Sequence, residues 1–270
     1  MVTAPLYEQL RNLIRTELPV ALCTIIEGLN TGAKLLVQPE VAAAGSLGHA
    51  ELDRIVGRDA LAELEAGRSG IRHYGPQGQT TPEDLADGQT ITVFVESFAP
   101  PPQMWIFGAV DFTAALAKVA KVLGYRVTVC DAREVFATRR RFPMADEVLV
   151  SWPAPVFLER GETLGLRDAV CILTHDPKFD IPAVLGALAT RAGYVGVMGS
   201  RKTHDKRMER LGEAGLIDPT QIDRLMSPVG LDIGARTPEE TAISICAEII
   251  ARRTGHLIGS LRDATGAIHA

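Results

Sequence analysis

Leu6, Leu10, Leu13 and Ile14 recur at helical spacing near the start of the chain and predict a short amphipathic helix. Two β-rich runs follow, Val20–Glu27 and Ala33–Val37, joined by Gly28-Leu29-Asn30-Thr31-Gly32, which reads as a hairpin connection. After Gly45-Ser46-Leu47-Gly48, the segment from about Glu51 to Glu65 takes the helical period and Gly67 ends it. Further strands are expected near Gly70–Tyr74 and Gln89–Phe98, which makes the first part a small α+β domain with a mostly antiparallel sheet. Ala99-Pro100-Pro101-Pro102 then interrupts the pattern, because consecutive prolines lack amide donors and admit neither helix nor central strand.

Beyond the prolines the pattern alternates. Short apolar strands are expected at Met104–Phe107, Arg126–Cys130, Glu147–Val150, Ala169–Thr174 and Tyr194–Met198. Helices are expected at Phe112–Leu123, Ile181–Arg191, Lys202–Ala214 and Pro238–Arg252. Strands that are apolar throughout, with helices between them, imply a Rossmann-like parallel sheet with helices on both faces. The expected strand order is 3-2-1-4-5, with a ligand crevice at the carboxyl ends of the strands. The domain reading is therefore an α+β domain over 1–98, a proline-rich linker over 99–103 and a Rossmann-like domain over 104–270. No internal repeat or low-complexity tract is evident.

Composition narrows the function classes. The formal net charge of -5 over 270 residues argues against a general nucleic-acid binder. Cys23, Cys130, Cys171 and Cys246 each sit in an apolar run without metal-site spacing, so they read as small buried hydrophobes, as suits a reducing compartment. The first residues lack the apolar core of a signal peptide, and no stretch reaches the ~20 apolar residues of a membrane span. A cytoplasmic protein without membrane contact is expected.

The candidate chemistry lies at the carboxyl ends of the parallel strands. Gly108-Ala109-Val110-Asp111-Phe112-Thr113 stands where a dinucleotide fingerprint belongs, and Asp131, 23 residues after Gly108, stands where a ribose-binding acid belongs. The second glycine of that fingerprint is Val110 here, and Asp111 adds negative charge where a helix terminus would receive phosphate. NAD(P) is therefore disfavoured, and Asp111 is expected to cap the helix. The next loop, Thr174-His175-Asp176-Pro177-Lys178-Phe179-Asp180, gathers an imidazole, two carboxylates and an ammonium. His175 and Asp176 are read as ligand-facing, and Asp180 as the cap of a helix beginning at Ile181. In Met198-Gly199-Ser200-Arg201-Lys202, glycine, a cap hydroxyl and two cations suit a phosphate seat, although the same residues also make an ordinary capped helix start. Thr237-Pro238-Glu239-Glu240 has the form of a capping box, and Asp232 and Arg236 before it are open between site and turn.

The motifs THDPKFD, GVMGSRK and SPVGLDIGARTPEETAISICAEII, in this order after a Rossmann half, resemble the C-terminal domain of XdhC/CoxI family proteins from about Met104 to Arg252. Gly32–Val37 and Gly45–Gly48 resemble the family's N-terminal domain more weakly. The resemblance implies an accessory protein that binds molybdenum cofactor, supports its sulfuration and hands it to a xanthine dehydrogenase- or carbon monoxide dehydrogenase-type molybdenum hydroxylase. It implies that client as a partner, with a cysteine desulfurase beside it, and a homodimer; no catalytic or metal-ligating residue is assigned. Under it, Gly199, Ser200, Arg201 and Lys202 hold the ligand's phosphate, while His175, Asp176 and Asp232 address the pterin or a partner, with Gly108 and Asp131 lining the crevice. Val110-Asp111 replaces the family's usual Gly-His, and Gly48-His49-Ala50-Glu51 lacks a cysteine common near that motif, so no thiol role is carried over. Two readings from other classes stay open, an NAD(P)-dependent oxidoreductase and a ligand-free scaffold that docks on a molybdenum hydroxylase.

Overall fold

The computed structural model describes residues 6–80, 90–216, 218–256 and 258–263. Two compact units, Met1–Pro100 and Pro101–Ala270, make up the chain.

The first unit contains α1 (Leu6–Arg15), β1 (Val20–Glu27), β2 (Lys34–Gln38), β3 (Val41–Ser46), α2 (Ala50–Ala66), β4 (Gly70–Tyr74) and β5 (Ile91–Phe98). Gln89, expected to begin the last strand, lies outside the described residues. The sheet runs β3-β2-β1-β5-β4 with every neighbouring pair antiparallel. On one face, Leu52, Val56, Ala60 and Leu64 of α2, four residues apart, pack on Cys23, Val37, Val93 and Val95. On the other, Leu6, Leu10 and Leu13 of α1 cover Val20, Leu22 and Leu36. Gly67 closes α2 in the left-handed conformation that glycine adopts without a Cβ penalty. Strand β3 was not expected, because Val41-Ala42-Ala43-Ala44-Gly45-Ser46 is poor in β-formers and mostly exposed. Its pairing with β2 depends on Gly45, where a Cβ would collide with the Lys34 carbonyl oxygen.

The second unit contains β6 (Gln103–Phe107), α3 (Asp111–Val122), β7 (Arg126–Asp131), β8 (Glu147–Val150), α4 (Pro153–Arg160), β9 (Ala169–Ile172), α5 (Pro177–Leu188), β10 (Tyr194–Val197), α6 (Arg201–Glu213), α7 (Pro219–Ile222), β11 (Leu225–Met226) and α8 (Pro238–Thr254). Its sheet, β11-β10-β9-β6-β7-β8, is parallel throughout. The five expected strands stand in the expected order, and β11 adds a sixth of two residues, too short to show a period. Alternation along β6 sends Met104 and Ile106 to the core beneath α3 and α8, and Trp105 and Phe107 to the core beneath α5. Helix α4 was also unexpected; it begins at Pro153 and carries Pro155 in its first turn. In a first helical turn the missing amides have no intrahelical partner, so proline is tolerated there.

All four cysteines are free and buried. Burial pushes the Cys23, Cys130 and Cys246 thiols up to about 12 and the Cys171 thiol well above its usual range.

Candidate functional site

The turn after β6 is built around Gly108, whose φ of +113° an L side chain rarely adopts. A Cβ there would lie 2.5 Å from Thr174 Cγ2, so the turn presses against the loop after β9. Asp111 does not cap α3. Val110 holds the cap position without a side-chain bond, while Asp111 is already the first helical residue. Asp111 lies exposed, 3.5 Å from Arg141 Nη2. The turn is fastened instead by the Thr113 hydroxyl, which donates to the Gly108 carbonyl, and by Arg141 Nη1, which donates to the Ala109 carbonyl at 3.0 Å.

Asp131 is buried and its acceptor capacity is filled. Oδ2 accepts from the Ala109 amide at 2.7 Å and Arg133 Nη2 at 2.8 Å, and Oδ1 accepts from the Arg133 amide and Nε, both at 2.9 Å. A carboxylate offers about four lone-pair sites, so none is left for a ribose hydroxyl. Burial works to raise this carboxyl, but the Arg133 guanidinium and the two amides outweigh it and hold the group below its usual range. Asp131 clamps the first turn to the loop after β7.

The loop after β9 departs from expectation by one helical turn. Helix α5 begins at Pro177, and Asp176 caps it, accepting from the Lys178 amide at 3.0 Å. Asp180, expected as the cap of a helix from Ile181, lies buried inside α5. There it accepts from the Thr174 hydroxyl and, at 3.4 Å, from Arg207 Nη2. The physical reason is that Asp176-Pro177 already supplies the cap and the proline of the first turn, leaving Asp180 free to face inward. Asp176 therefore has a fold duty that the sequence did not reveal. Burial raises the Asp180 carboxyl above its usual range, although Arg207 and His175 pull the other way.

Arg207, which sequence reasoning missed, is the centre of this edge. Its side chain is 3% exposed, and besides Asp180 it donates from Nη2 to the Met198 carbonyl at 2.9 Å and from Nη1 to Ser227 Oγ at 3.0 Å. One guanidinium thus joins α5 to the loops after β10 and β11. Ser200 caps α6 by accepting from the Thr203 amide at 3.2 Å. A Cβ at Gly199 would lie 3.3 Å from Thr203 and 3.5 Å from Arg207 Nη1, so this glycine lets the loop sit close over both.

Between α5 and α6 opens a cleft of about 150 Å³ lined by His175, Pro177, Asp180, Ile181, Lys202, Thr203, Lys206, Arg207 and Arg210. The structure brings together His175 and Lys202 of the expected residues. Gly108, Asp131, Asp176, Gly199, Ser200, Arg201 and Asp232 do not line it, and Asp232 is exposed on the loop after β11. Lys202, Lys206 and Arg210 recur every four residues on one face of α6. Among the described residues no carboxylate pairs with any of these three. That spacing is visible in the sequence and would have extended the phosphate seat beyond the first turn of α6. Arg207 carries no such signal, since a basic residue on a helix reads as solvated. A compact cleft with unpaired cations suits a phosphate-sized anion, the remainder of its bearer staying outside, because pockets that enclose whole small molecules are usually ~300–1,000 Å³.

Thr237 and Glu240 form the expected capping box at α8, with Pro238 at its first position. Among the described residues no group of three or more His, Cys, Asp or Glu side chains is placed to hold a metal ion. No described helix is long and apolar enough to cross a membrane.

The motifs at this edge lie within a region, residues 104–249, that matches the XdhC Rossmann domain. The chain belongs to the XdhC/CoxI family. Residues 13–75 match the XdhC and CoxI family model as well, so both units carry the assignment. Among XdhC/CoxI relatives, a protein of Bacillus subtilis described as a probable xanthine dehydrogenase component is 33% identical over 165 residues, 61% of this chain and 47% of its own. The molybdenum cofactor insertion chaperone PaoD of Escherichia coli is 26% identical over 187 residues, 68% of this chain and 51% of its own. The chain thus spans about half the length of these curated relatives. A solved structure described as a xanthine dehydrogenase from Bacillus halodurans shares the fold, with a TM-score of 0.51, 23% identity and coverage of 95% of this chain and 97% of that one.

Proposed function

We propose that this XdhC/CoxI protein binds molybdenum cofactor and assists its insertion into a xanthine dehydrogenase- or carbon monoxide dehydrogenase-type molybdenum hydroxylase. The observation that carries the reading is the cleft between α5 and α6, where Lys202, Lys206 and Arg210 stand without carboxylate partners at the ligand-binding edge of a parallel sheet. The name of the Escherichia coli relative supports the same role.

In this account the cations receive the phosphate of the cargo, and the Thr203 hydroxyl and His175 imidazole supply further polar contacts. Arg207 stays tied to its three acceptors and adds positive field at the base of the cleft. The pterin remains outside the 150 Å³ cleft, accessible to a sulfur donor and to the client. Binding through a charged handle with the reactive end exposed suits transfer, because the carrier gains affinity without enclosing what must leave. The partners this reading requires are the client hydroxylase and a cysteine desulfurase, and the carrier acts as a homodimer in the cytoplasm.

The oxidoreductase reading is weakened by three features of the first turn. Val110 occupies the close-approach position, Asp111 brings a negative charge to the terminus of α3, and Asp131 has no lone pair left for a ribose. The direct test is to isolate the protein from its native host and identify bound small molecules and co-purifying proteins together. Pterin and a molybdenum hydroxylase polypeptide are expected; nicotinamide nucleotide, or neither pterin nor hydroxylase, contradicts the proposal.

A further inference from the structure

We propose that Arg207 is a positioning residue that couples occupancy of the cleft to the loop from Ser227 to Arg236, so that this loop reports whether cargo is bound. The inference rests on the anion-binding reading of the cleft. Arg207 lines the cleft and is the cleft residue that also bonds Ser227. Its guanidinium is a planar, rigid fork, so fixing one edge orients the other. On the cleft side Nη2 donates to the Met198 carbonyl at 2.9 Å, while its contact with the Asp180 carboxylate, at 3.4 Å, is long for a charge-assisted bond of ~2.7–2.9 Å. On the far side Nη1 reaches Ser227 Oγ at 3.0 Å.

An anion in the cleft supplies the close charged acceptor that Asp180, at 3.4 Å, does not. It holds the fork, and the fork then holds Ser227. The differential interaction that a coupled change requires is therefore present in one side chain. The loop is otherwise pinned near its base, where the Gly230 amide donates to Glu248 at 2.9 Å and Ser244 Oγ donates to the Leu231 carbonyl at 2.6 Å. Beyond that base stand the exposed Asp232, Ile233 and Arg236. Ile233 is 53% exposed between two charges, outside the cleft, where a partner protein can touch it. Tightening at Ser227 thus reaches a surface that the cargo does not itself cover.

The test uses the full chain and inorganic phosphate, with calorimetry for affinity and amide exchange for residues 229–235. In the wild type, phosphate should slow exchange of these amides by about fivefold, the low end of typical site-to-site couplings. Coupling is reciprocal, so Ser227→Ala should weaken phosphate by the same factor, although Ser227 does not line the cleft, and should abolish the exchange response. Arg207→Lys keeps the charge without the fork, so phosphate still binds while the loop no longer responds. Ser244→Ala is the contrast: it loosens the loop with or without phosphate and leaves the phosphate-dependent ratio intact. Should Arg207→Lys fail to fold, Ser227→Ala carries the test alone. The coupling is overturned if wild-type protein binds phosphate without slower exchange, or if Ser227→Ala responds as the wild type does. No phosphate binding at all overturns the anion-binding reading, and the coupling with it.

Discussion

Replacing Arg207 by alanine is the perturbation with the largest calculable consequence. The guanidinium and the Asp180 carboxylate are 3% and 6% exposed, so removing one leaves the other buried without its counter-charge. Breaking such a pair costs about 3–5 kcal/mol. The Met198 carbonyl and Ser227 hydroxyl also lose a donor. Asp180 has one escape, which is to take up a proton, and burial already raises its carboxyl. The net loss expected is therefore about 3 kcal/mol near pH 8 and smaller near pH 5. The sign follows from linkage. A carboxyl raised in the folded state contributes stability below the unfolded value of about 3.9, and that contribution is lost as pH rises through the folded value. Without Arg207 the folded value rises further, so the window of loss extends upward. Urea unfolding of wild type and Arg207→Ala at pH 5 and pH 8 reads this directly. Asp180→Asn added to Arg207→Ala removes the stranded charge and should recover part of the loss at pH 8. A deficit below about 1 kcal/mol, typical of an exposed ion pair, or an equal deficit at both pH values, refutes the reasoning.

Binding of NAD(H) or NADP(H) should be weak, because Val110, Asp111 and the engaged Asp131 leave the first turn unsuited to a pyrophosphate and ribose; low-micromolar affinity by calorimetry contradicts this. The four thiols should stay unreactive toward a disulfide reagent in the native state near pH 8, since burial raises all of them, and should react upon unfolding; rapid labelling of any one of them in the folded protein disproves the buried assignment. The segment from Gln103 onward, which carries its own sheet and two cores, should fold alone with a cooperative melt followed by far-UV dichroism; an isolated segment without such a melt refutes independent folding.

The Rossmann-like architecture was legible because its strands are apolar on both faces and its helices carry the 3.6 period. The strand order then followed from the handedness and placement rules for parallel sheets. Strand β3 and helix α4 were not legible. Alanines in the first and prolines in the second argue locally against the conformation that tertiary pairing and a first helical turn permit. At the candidate site, two cap assignments, Asp111 and Asp180, did not hold. Asp111, Asp176 and Asp180 are all acids near helix starts, and composition cannot say which one faces the amides, which faces solvent and which faces inward. The helix start at Pro177 decides the last two. Asp131 was placed correctly at the end of β7, but its saturation by Arg133 depends on a turn geometry that no fingerprint encodes. Arg207 was invisible for a different reason, since burial of a guanidinium needs acceptors from three separate segments, here α5 and the loops after β10 and β11.

The central claim is that the cleft between α5 and α6 holds the phosphate of molybdenum cofactor. Anaerobic equilibrium binding of molybdopterin to the wild type and to a Lys206→Ala/Arg210→Ala double variant tests it most directly. Each lost contact to a charged group is worth ~1.5–3 kcal/mol when shielded, and the cleft is partly open. The variant should therefore bind at least about tenfold more weakly, ~1.4 kcal/mol, with its melting temperature nearly unchanged because both residues are exposed. Equal affinity in the two proteins, or no binding by the wild type, contradicts the claim.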